Sequence, residues 1–333
     1  MSESVKSSLQ LYDLLQNETN ESIQSIGSVL KVHLDLSREE KIHDIASMLN
    51  DKSVLIHIIN RLIEREFLLL KRMIRYNGKI IDDDVDERAV RVLKNCGLLF
   101  EKKINDVDYL VLSEEVYLRI KSLKIDSYED IVDNNNRIYN LIVSMVELYG
   151  ITNIYDVITY YNRFYRTRDE KVDTLNLDFF FWMKRDNNIT VYHEKNRLYF
   201  IHKEIRNNKD LWDNIAAVKR KYAPAILEKR TLLKYRNVDF FEWSEELEEL
   251  KQFLLEKKDE EAVQQFLIDM YHVFRANKTT SHIYDLLVKY DIDISDEEEN
   301  EFFSLVTAAY KTLRLWINCG YSLNELIHIR ESL

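Results

Sequence analysis

LLFEKKINDVDYLVLSEEV, residues 98–116, is the stretch on which the reading of this chain turns. Two short runs, Leu98 to Lys103 and Tyr109 to Leu112, flank Asn105-Asp106-Val107-Asp108. Apolar runs of strand length around Asn and Asp predict a β-hairpin. Ser113-Glu114-Glu115 then opens a helix through Leu123, since serine followed by acidic residues suits a helix N-terminus. Upstream, Val85, Ala89, Val90, Val92 and Leu93 predict a helix over Asp83–Asn95, with Gly97 just past its end. Before that, Leu55, Ile58, Ile59, Leu62, Ile63, Phe67, Leu70, Met73 and Ile74 keep helical spacing over about Val54–Tyr76. Asn77-Gly78 stops this helix in a left-handed cap. Ser37-Arg38-Glu39-Glu40 has capping-box spacing and starts a further helix to about Leu49.

The same order returns further along. Arg137–Tyr149 is amphipathic and ends at Gly150; helices follow over Ile154–Tyr165 and Leu175–Lys184. A second hairpin is predicted from Ile189 to His193 and Leu198 to His202, around the polar turn Glu194–Arg197. LLLKRMIRYNG (68–78) matches LIVSMVELYG (141–150), and YLVLSEEV (109–116) matches LYFIHKEI (198–205). Helices followed by a hairpin describe a winged-helix topology, a variant of helix-turn-helix. From 239 onward the pattern is all helical: Asp239–Glu256, Asp259–Ala276, Thr280–Tyr290, Asp296–Ile317 and a short helix from Ser322. Ser295 with Glu298, and Ser322 with Glu325, repeat the capping-box spacing.

The expected architecture is therefore mainly α with two short β-hairpins: tandem winged-helix-like units followed by an all-helical C-terminal domain. Residues 1–36 form a flexible segment with one short helix, and 37–125 and 126–206 the two winged-helix-like units. A charged connecting helical segment covers 207–238 and the C-terminal domain 239–333. Composition agrees: five glycines and one proline in 333 residues favour long helices with short turns over sheet and loop. The abundant Ile, Lys, Asn, Glu and Tyr suggest an AT-rich genome, as in low-GC bacteria or their phages.

A net charge of −11 argues against a general nucleic-acid binder, whose affinity comes from a surplus of Lys and Arg. Cys96 and Cys319 are far apart in apolar helical contexts, which predicts reduced thiols in the cytoplasm. No run approaches the roughly 18 apolar residues that would predict a membrane span, and no signal-peptide run opens the chain. None of the eight histidines has another at i+3 or i+4, and HExxH and CxxC are both absent, so no metal, cofactor or catalytic group is expected. His193 and His202 flank the second hairpin and could meet across it.

The strongest basic cluster, Lys219, Arg220 and Lys221, continues through Lys229, Arg230, Lys234 and Arg236, with Tyr222 and Tyr235 interleaved; a second patch, Lys71, Arg72, Arg75 and Lys79, lies at the end of the long helix before the first hairpin. The functional reading of the first is a nucleic-acid or partner contact; its plainer reading is a solvated helix answering the acidic Glu242–Glu249. The helix ahead of the first hairpin begins Asp82-Asp83-Asp84-Val85-Asp86-Glu87, whose carboxylates repel phosphate. Its counterpart in the second unit holds Phe179, Phe180, Phe181 and Trp182 and reads as core.

Near the C-terminus, Thr312-Leu313-Arg314-Leu315-Trp316-Ile317-Asn318-Cys319-Gly320-Tyr321-Ser322-Leu323-Asn324-Glu325-Leu326 resembles a signature, TRLWxNxGxxxNEL, of a loosely defined group of bacterial proteins, mostly from Firmicutes. The resemblance covers most of the chain, and these residues are its distinctive part. Members of that group often end in a small zinc motif like that at the tail of the secretion ATPase; this sequence has no CxC or terminal Cys pair, so the zinc module is expected to be missing. Read physically, Leu313, Trp316 and Ile317 share a helical stripe with Val306 and Ala309, and Gly320 turns the chain into the Ser322 box. A structural corner is expected there, with Arg314, Trp316 and Asn324 as a partner surface should the tryptophan be exposed. The function expected is a non-enzymatic protein-binding adaptor or regulator, phage- or mobile-element-associated. The alternative is a nucleic-acid-binding transcriptional regulator using residues 217–236; no membrane contact is expected.

Overall fold

The helices that end at Gly78 and Gly150, both with positive φ, each lead directly into the first strand of a small antiparallel sheet. The computed structural model describes residues 9–33, 35–83, 85–175, 188–194, 197–278 and 281–331, and these are mainly helical with two three-stranded sheets. In order, the first part runs α1 (Leu11–Asn17), α2 (Asn20–Leu30), α3 (Arg38–Leu49), α4 (Lys52–Ile59), α5 (Glu64–Arg75), β1 (Lys79–Ile81), α6 (Glu87–Asn95), β2 (Phe100–Ile104), β3 (Val107–Val111) and α7 (Glu114–Lys121). Then come α8 (Glu129–Tyr149), β4 (Ile151–Asn153), α9 (Ile154–Tyr165), β5 (Ile189–Glu194) and β6 (Arg197–His202). Helices at Lys203–Arg206, Lys209–Lys219, Lys229–Leu232, Glu245–Leu255, Glu260–Arg275, Ser281–Lys289, Glu299–Thr312 and Leu323–Glu331 complete the chain.

The two sheets share one plan. Their orders are β1-β3-β2 and β4-β6-β5, all antiparallel. Lys79 faces Val111 in the first and Ile151 faces Ile201 in the second. The carbonyl of Gly78 accepts from Leu112 N–H at 2.8 Å, and that of Gly150 from His202 N–H at 2.9 Å. The helix after each sheet is capped alike: Ser113 Oγ accepts from Val116 N–H, and His202 Nδ1 from Glu204 N–H. The second copy is one residue shorter here, since His202 is at once the strand's last residue and the cap. Each predicted hairpin thus gains a third strand. Those strands are three residues long, too short to show a period-2 pattern.

The hairpin turn Asn105-Asp106 has φ of +51° and +63°. Both central residues are left-handed, which suits the twist of a tight hairpin and explains Asn and Asp there. His193 pairs with Leu198 and His202 with Ile189, so the two histidines do not face one another across the second hairpin.

The expected single helix over Val54–Tyr76 is two, α4 and α5. The break at 60–63 is held by a distant side chain: Asn135 donates to the Asn60 and Leu62 carbonyls at 2.8 and 3.0 Å. Glu66 reaches back to Ile63 N–H at 3.0 Å and caps α5. Apolar spacing continues through the break, and no local signal marks it. Before the first unit proper, α1 and α2 bury Leu11, Leu15, Ile23 and Ile26 in the same core as Leu70, Val92 and Leu110. This stretch was expected to carry one short helix and some mobility. The predicted helix Leu175–Lys184, with Phe179 to Trp182, lies outside the described residues.

Contacts divide the chain into two compact units, changing over between Tyr139 and Asn140 within α8. The second holds both the β4–β6 sheet and residues 239–333, expected from the sequence as a separate helical domain. No helix among the described residues is long and apolar enough to cross a membrane.

Gly150 has the tighter of the two glycine sites. At φ +72°, an added Cβ would stand 2.2 Å from Ile205 Cδ1 and 2.8 Å from Trp316 Cγ. At Gly78, φ +79°, the nearest atom is Tyr117 Cδ2 at 3.3 Å. Gly150→Ala is expected to destabilise by about 2–5 kcal/mol, combining left-handed strain with overpacking. Gly78→Ala should cost about 1–2 kcal/mol, the strain alone. Urea unfolding of the two variants would show this order; equal losses would contradict it.

Candidate functional site

Glu147 stands in the apolar run Met145-Val146-Glu147-Leu148-Tyr149 of α8, and its side chain is 2% exposed. A carboxylate so placed needs a partner, because removing an ion from water costs several kcal/mol. Arg275, at the end of the helix Glu260–Arg275, supplies it: its Nη1 donates to Glu147 Oε2 at 2.7 Å. The guanidinium lies 4.8 Å from the centre of the Trp316 ring and 5.2 Å from that of Tyr271. Trp316 Nε1 donates to the Glu147 backbone carbonyl at 2.8 Å. One residue of α8 therefore binds two distant segments, with its side chain and its main chain.

His202 completes the enclosure. Its ring lies 4.6 Å from that of Trp316, and Nε2 is 3.7 Å from Glu147 Oε1. Nδ1 accepts from Glu204 N–H, so the ring's one proton is on Nε2 and points toward Glu147. Burial, reinforced by the Arg275 charge, holds the imidazole down at about 3, well below its usual 6.5. From Arg275 the contacts run outward: Nη2 donates to His272 Nδ1 at 3.0 Å, and His272 Nε2 meets Asp239 Oδ1 at 3.1 Å. Arginine has only donors, so His272 accepts at Nδ1 and donates to Asp239. Burial, with Arg275, also lowers the His272 pKa, against the pull of Asp239. Glu147, Arg275, His202 and Trp316 are all buried, and their contacts tie α8, the sheet and two later segments together.

The segment around Trp316 is an internal corner. Trp316 is fully buried, which decides between the two readings of it in favour of structure. Arg314 holds the corner with Nε to Glu242 at 3.0 Å, a bidentate pair to Glu325 at 2.7 and 2.7 Å, and Nη1 to the Gly320 carbonyl at 3.0 Å. Ser322 and Glu325 form the expected capping box, Glu325 accepting from Ser322 N–H and Ser322 Oγ from Glu325 N–H. Asn324 alone of the three nominated residues is exposed. The helix predicted over Asp296–Ile317 ends earlier, at Thr312, and Trp316–Asn318 is a single 3₁₀ turn. That turn brings Cys319 O to Ala225 N–H, while Tyr149 Oη donates to Ala225 O at 2.7 Å.

The nominated basic residues scatter. Lys219 turns inward and donates from Nζ to the Ile151 carbonyl, so burial pulls its pKa below the usual range despite Asp156 nearby. Lys229 Nζ sits 3.8 Å from the centre of the Tyr165 ring and reaches the Phe164 carbonyl at 3.4 Å. Lys234 lies over Phe240 at 5.5 Å. Lys229 and Lys234 are nonetheless exposed, as are Arg220, Lys221, Arg230 and Arg236. Sequence reading missed the Glu147–Arg275 pair, whose members are 128 positions apart. Its only signal was a lone acid within an apolar helix run.

Among the described residues, no group of three or more His, Cys, Asp or Glu is arranged to hold a metal ion. No family model, curated protein or solved structure matches the chain.

Glu147→Gln leaves Arg275 buried without its counter-ion and is expected to cost about 3–5 kcal/mol in urea unfolding. The double variant Glu147→Met with Arg275→Met should recover much of that loss; full additivity would show that the pair is not coupled. His202 gives a pH signature. The unfolded chain takes up its proton below about 6.5 while the fold refuses it until about 3, so stability falls as pH drops through that window. The whole window is worth on the order of 5 kcal/mol. His202→Phe should flatten this part of the stability–pH curve, and an unchanged slope would contradict the assignment.

Proposed function

We propose that this chain is a non-enzymatic adaptor or regulator that acts by binding another protein, and that its two helix-and-sheet units are winged-helix-like. Strand order supports the fold part: in both sheets the first strand pairs with the third, and the second and third form a projecting hairpin. In the second unit α8, β4, α9 and the β5–β6 hairpin follow one another in winged-helix order. In the first, α6 alone stands between β1 and β2 among the described residues.

The observation that carries the protein-binding reading is the acidic end that α6 presents ahead of the first hairpin. In the basic segment Lys219 is turned inward onto the Ile151 carbonyl and adds little to any phosphate-facing stripe, while Lys229 and Lys234 contact a carbonyl and rings of their own chain but stay exposed. At the first hairpin, Asp82 and Asp83 precede α6, and Asp86 is its N-cap, accepting from Arg88 and Ala89 N–H. That end of α6 is the one a winged helix would bring to a base edge, and it presents carboxylates. Arg220, Lys221, Lys229, Arg230, Lys234 and Arg236 are exposed and favour the second reading, a nucleic-acid-binding regulator.

Fluorescence anisotropy with a labelled mixed-sequence duplex separates the two. At about 0.15 M salt the expected result is binding no tighter than the non-specific range of about 10⁻⁴–10⁻⁶ M, while the tagged chain carries a stoichiometric protein partner from its own cells. Duplex binding well below that range, with a salt slope that falls on Lys221→Glu and Arg230→Glu, would overturn the protein-binding reading.

A further inference from the structure

The helices Ser281–Lys289 and Glu299–Thr312 leave a cleft of about 600 Å³ between them. Its floor is apolar: Leu287, Ile292 and Phe302 are buried, and Phe303 packs its ring 5.0 Å from that of Tyr284. Val288, 81% exposed, and Tyr284, 45% exposed, stand at its edge. Single exposed apolar residues are ordinary on any protein surface. What sets these apart is the concave floor beside them and the charge around them. The four charged residues lining the cleft, Asp291, Asp293, Asp296 and Glu299, are all acids. Lys258 pairs with Asp291 at 2.8 Å, and Tyr284 hydrogen-bonds Glu299; Asp293 and Asp296 are exposed to solvent. The chain between the two helices, Asp291-Ile292-Asp293-Ile294-Ser295-Asp296-Glu297-Glu298, adds two more acids, of which Glu298 is bound by Lys257.

An apolar slot rimmed by carboxylates has a defined complement. Apolar side chains at i, i+3 or i+4 of an amphipathic helix would enter the slot, and lysine or arginine on the helix flanks would reach the rim. A second copy of this chain, at net charge −11, is a poor occupant of an acidic rim. We propose that this cleft is the docking site for a basic amphipathic helix of a partner protein, an inference that rests on the adaptor reading and names the chemistry of its partner.

The test uses a fluorescein-labelled synthetic helix of Leu and Lys at helical spacing, titrated with the full chain. Controls are a Leu/Glu helix of the same spacing and a scrambled Leu/Lys isomer without an apolar face. The expected result is saturable binding of the Leu/Lys helix, at least about tenfold tighter than either control. Val288→Lys, and separately Asp293→Lys with Asp296→Lys, should each weaken it by about tenfold or more, since each removes one half of the recognition. All the substituted side chains are exposed, and unchanged thermal melting would confirm that the variants fold.

Equal binding to the scrambled helix, or affinity untouched by both variants, overturns the proposal. So does a dimer of the free chain in sedimentation that Val288→Lys converts to monomer, which would assign the cleft to self-association. Failure here is distinguishable from failure of the adaptor reading. A cellular protein partner still captured at full yield by the Val288→Lys chain would overturn the cleft while leaving the adaptor standing; a chain that captures no protein would remove both.

Discussion

A carboxylate enclosed in an apolar helix must be answered, and the second unit is organised around the answer. Glu147 enters the interior because α8 carries it there among Val143, Val146 and Leu148, all buried. Once inside, it draws Arg275 from a helix far along the chain, and its backbone carbonyl draws Trp316 from a segment farther still. His202 closes the fourth side from the sheet. Breaking such a pair costs more than the pair is worth against an apolar substitute, so it acts as a register pin more than as a source of stability. It selects one way of placing the C-terminal helices against the β4–β6 sheet.

The corner at Arg314 uses the same device nearer the surface. One guanidinium meets two glutamates and a carbonyl, and thereby holds the 3₁₀ turn, the Ser322 cap and the strand-like residues before the turn in one arrangement. Gly320 permits it, since a side chain there would stand 2.7 Å from the Tyr149 ring. Tyr149 in turn is fixed by Tyr160 and the Ala225 carbonyl. The residues that make this part of the sequence distinctive are thus mostly interior, which is why they say more about shape than about chemistry. What the scaffold leaves outside includes the exposed Arg220, Lys221, Lys229, Arg230, Lys234 and Arg236 on the connecting segment, and an apolar cleft lined by acids on the C-terminal helices.

Local rules were enough for much of the fold. Ser37 with Glu40 and Ser322 with Glu325 cap their helices as their spacing requires. Asn77-Gly78 and Gly150 end theirs with positive φ, and α9 starts and stops where the apolar spacing does. The hairpins follow from Asn105-Asp106 and from the runs Ile189–His193 and Leu198–His202. All of these are interactions between residues a few positions apart, and a sequence displays them directly.

The likeness of the two units was also in the sequence, because a repeated strand partner needs a repeated pattern of glycine, strand and cap. What only the tertiary structure decided lies in contacts of long span. Asn135 breaks the 54–76 helix from 70 or more positions away, β1 and β4 become strands only by pairing with β3 and β6, and Lys219 is taken out of the basic cluster by Ile151. Glu147 shows in the sequence only as a lone acid in an apolar run, and nothing there names Arg275 as its partner until the fold brings them within 2.7 Å. Sequence shows which residues carry charge; burial decides which of those charges still face a partner, and burial is a property of the whole chain.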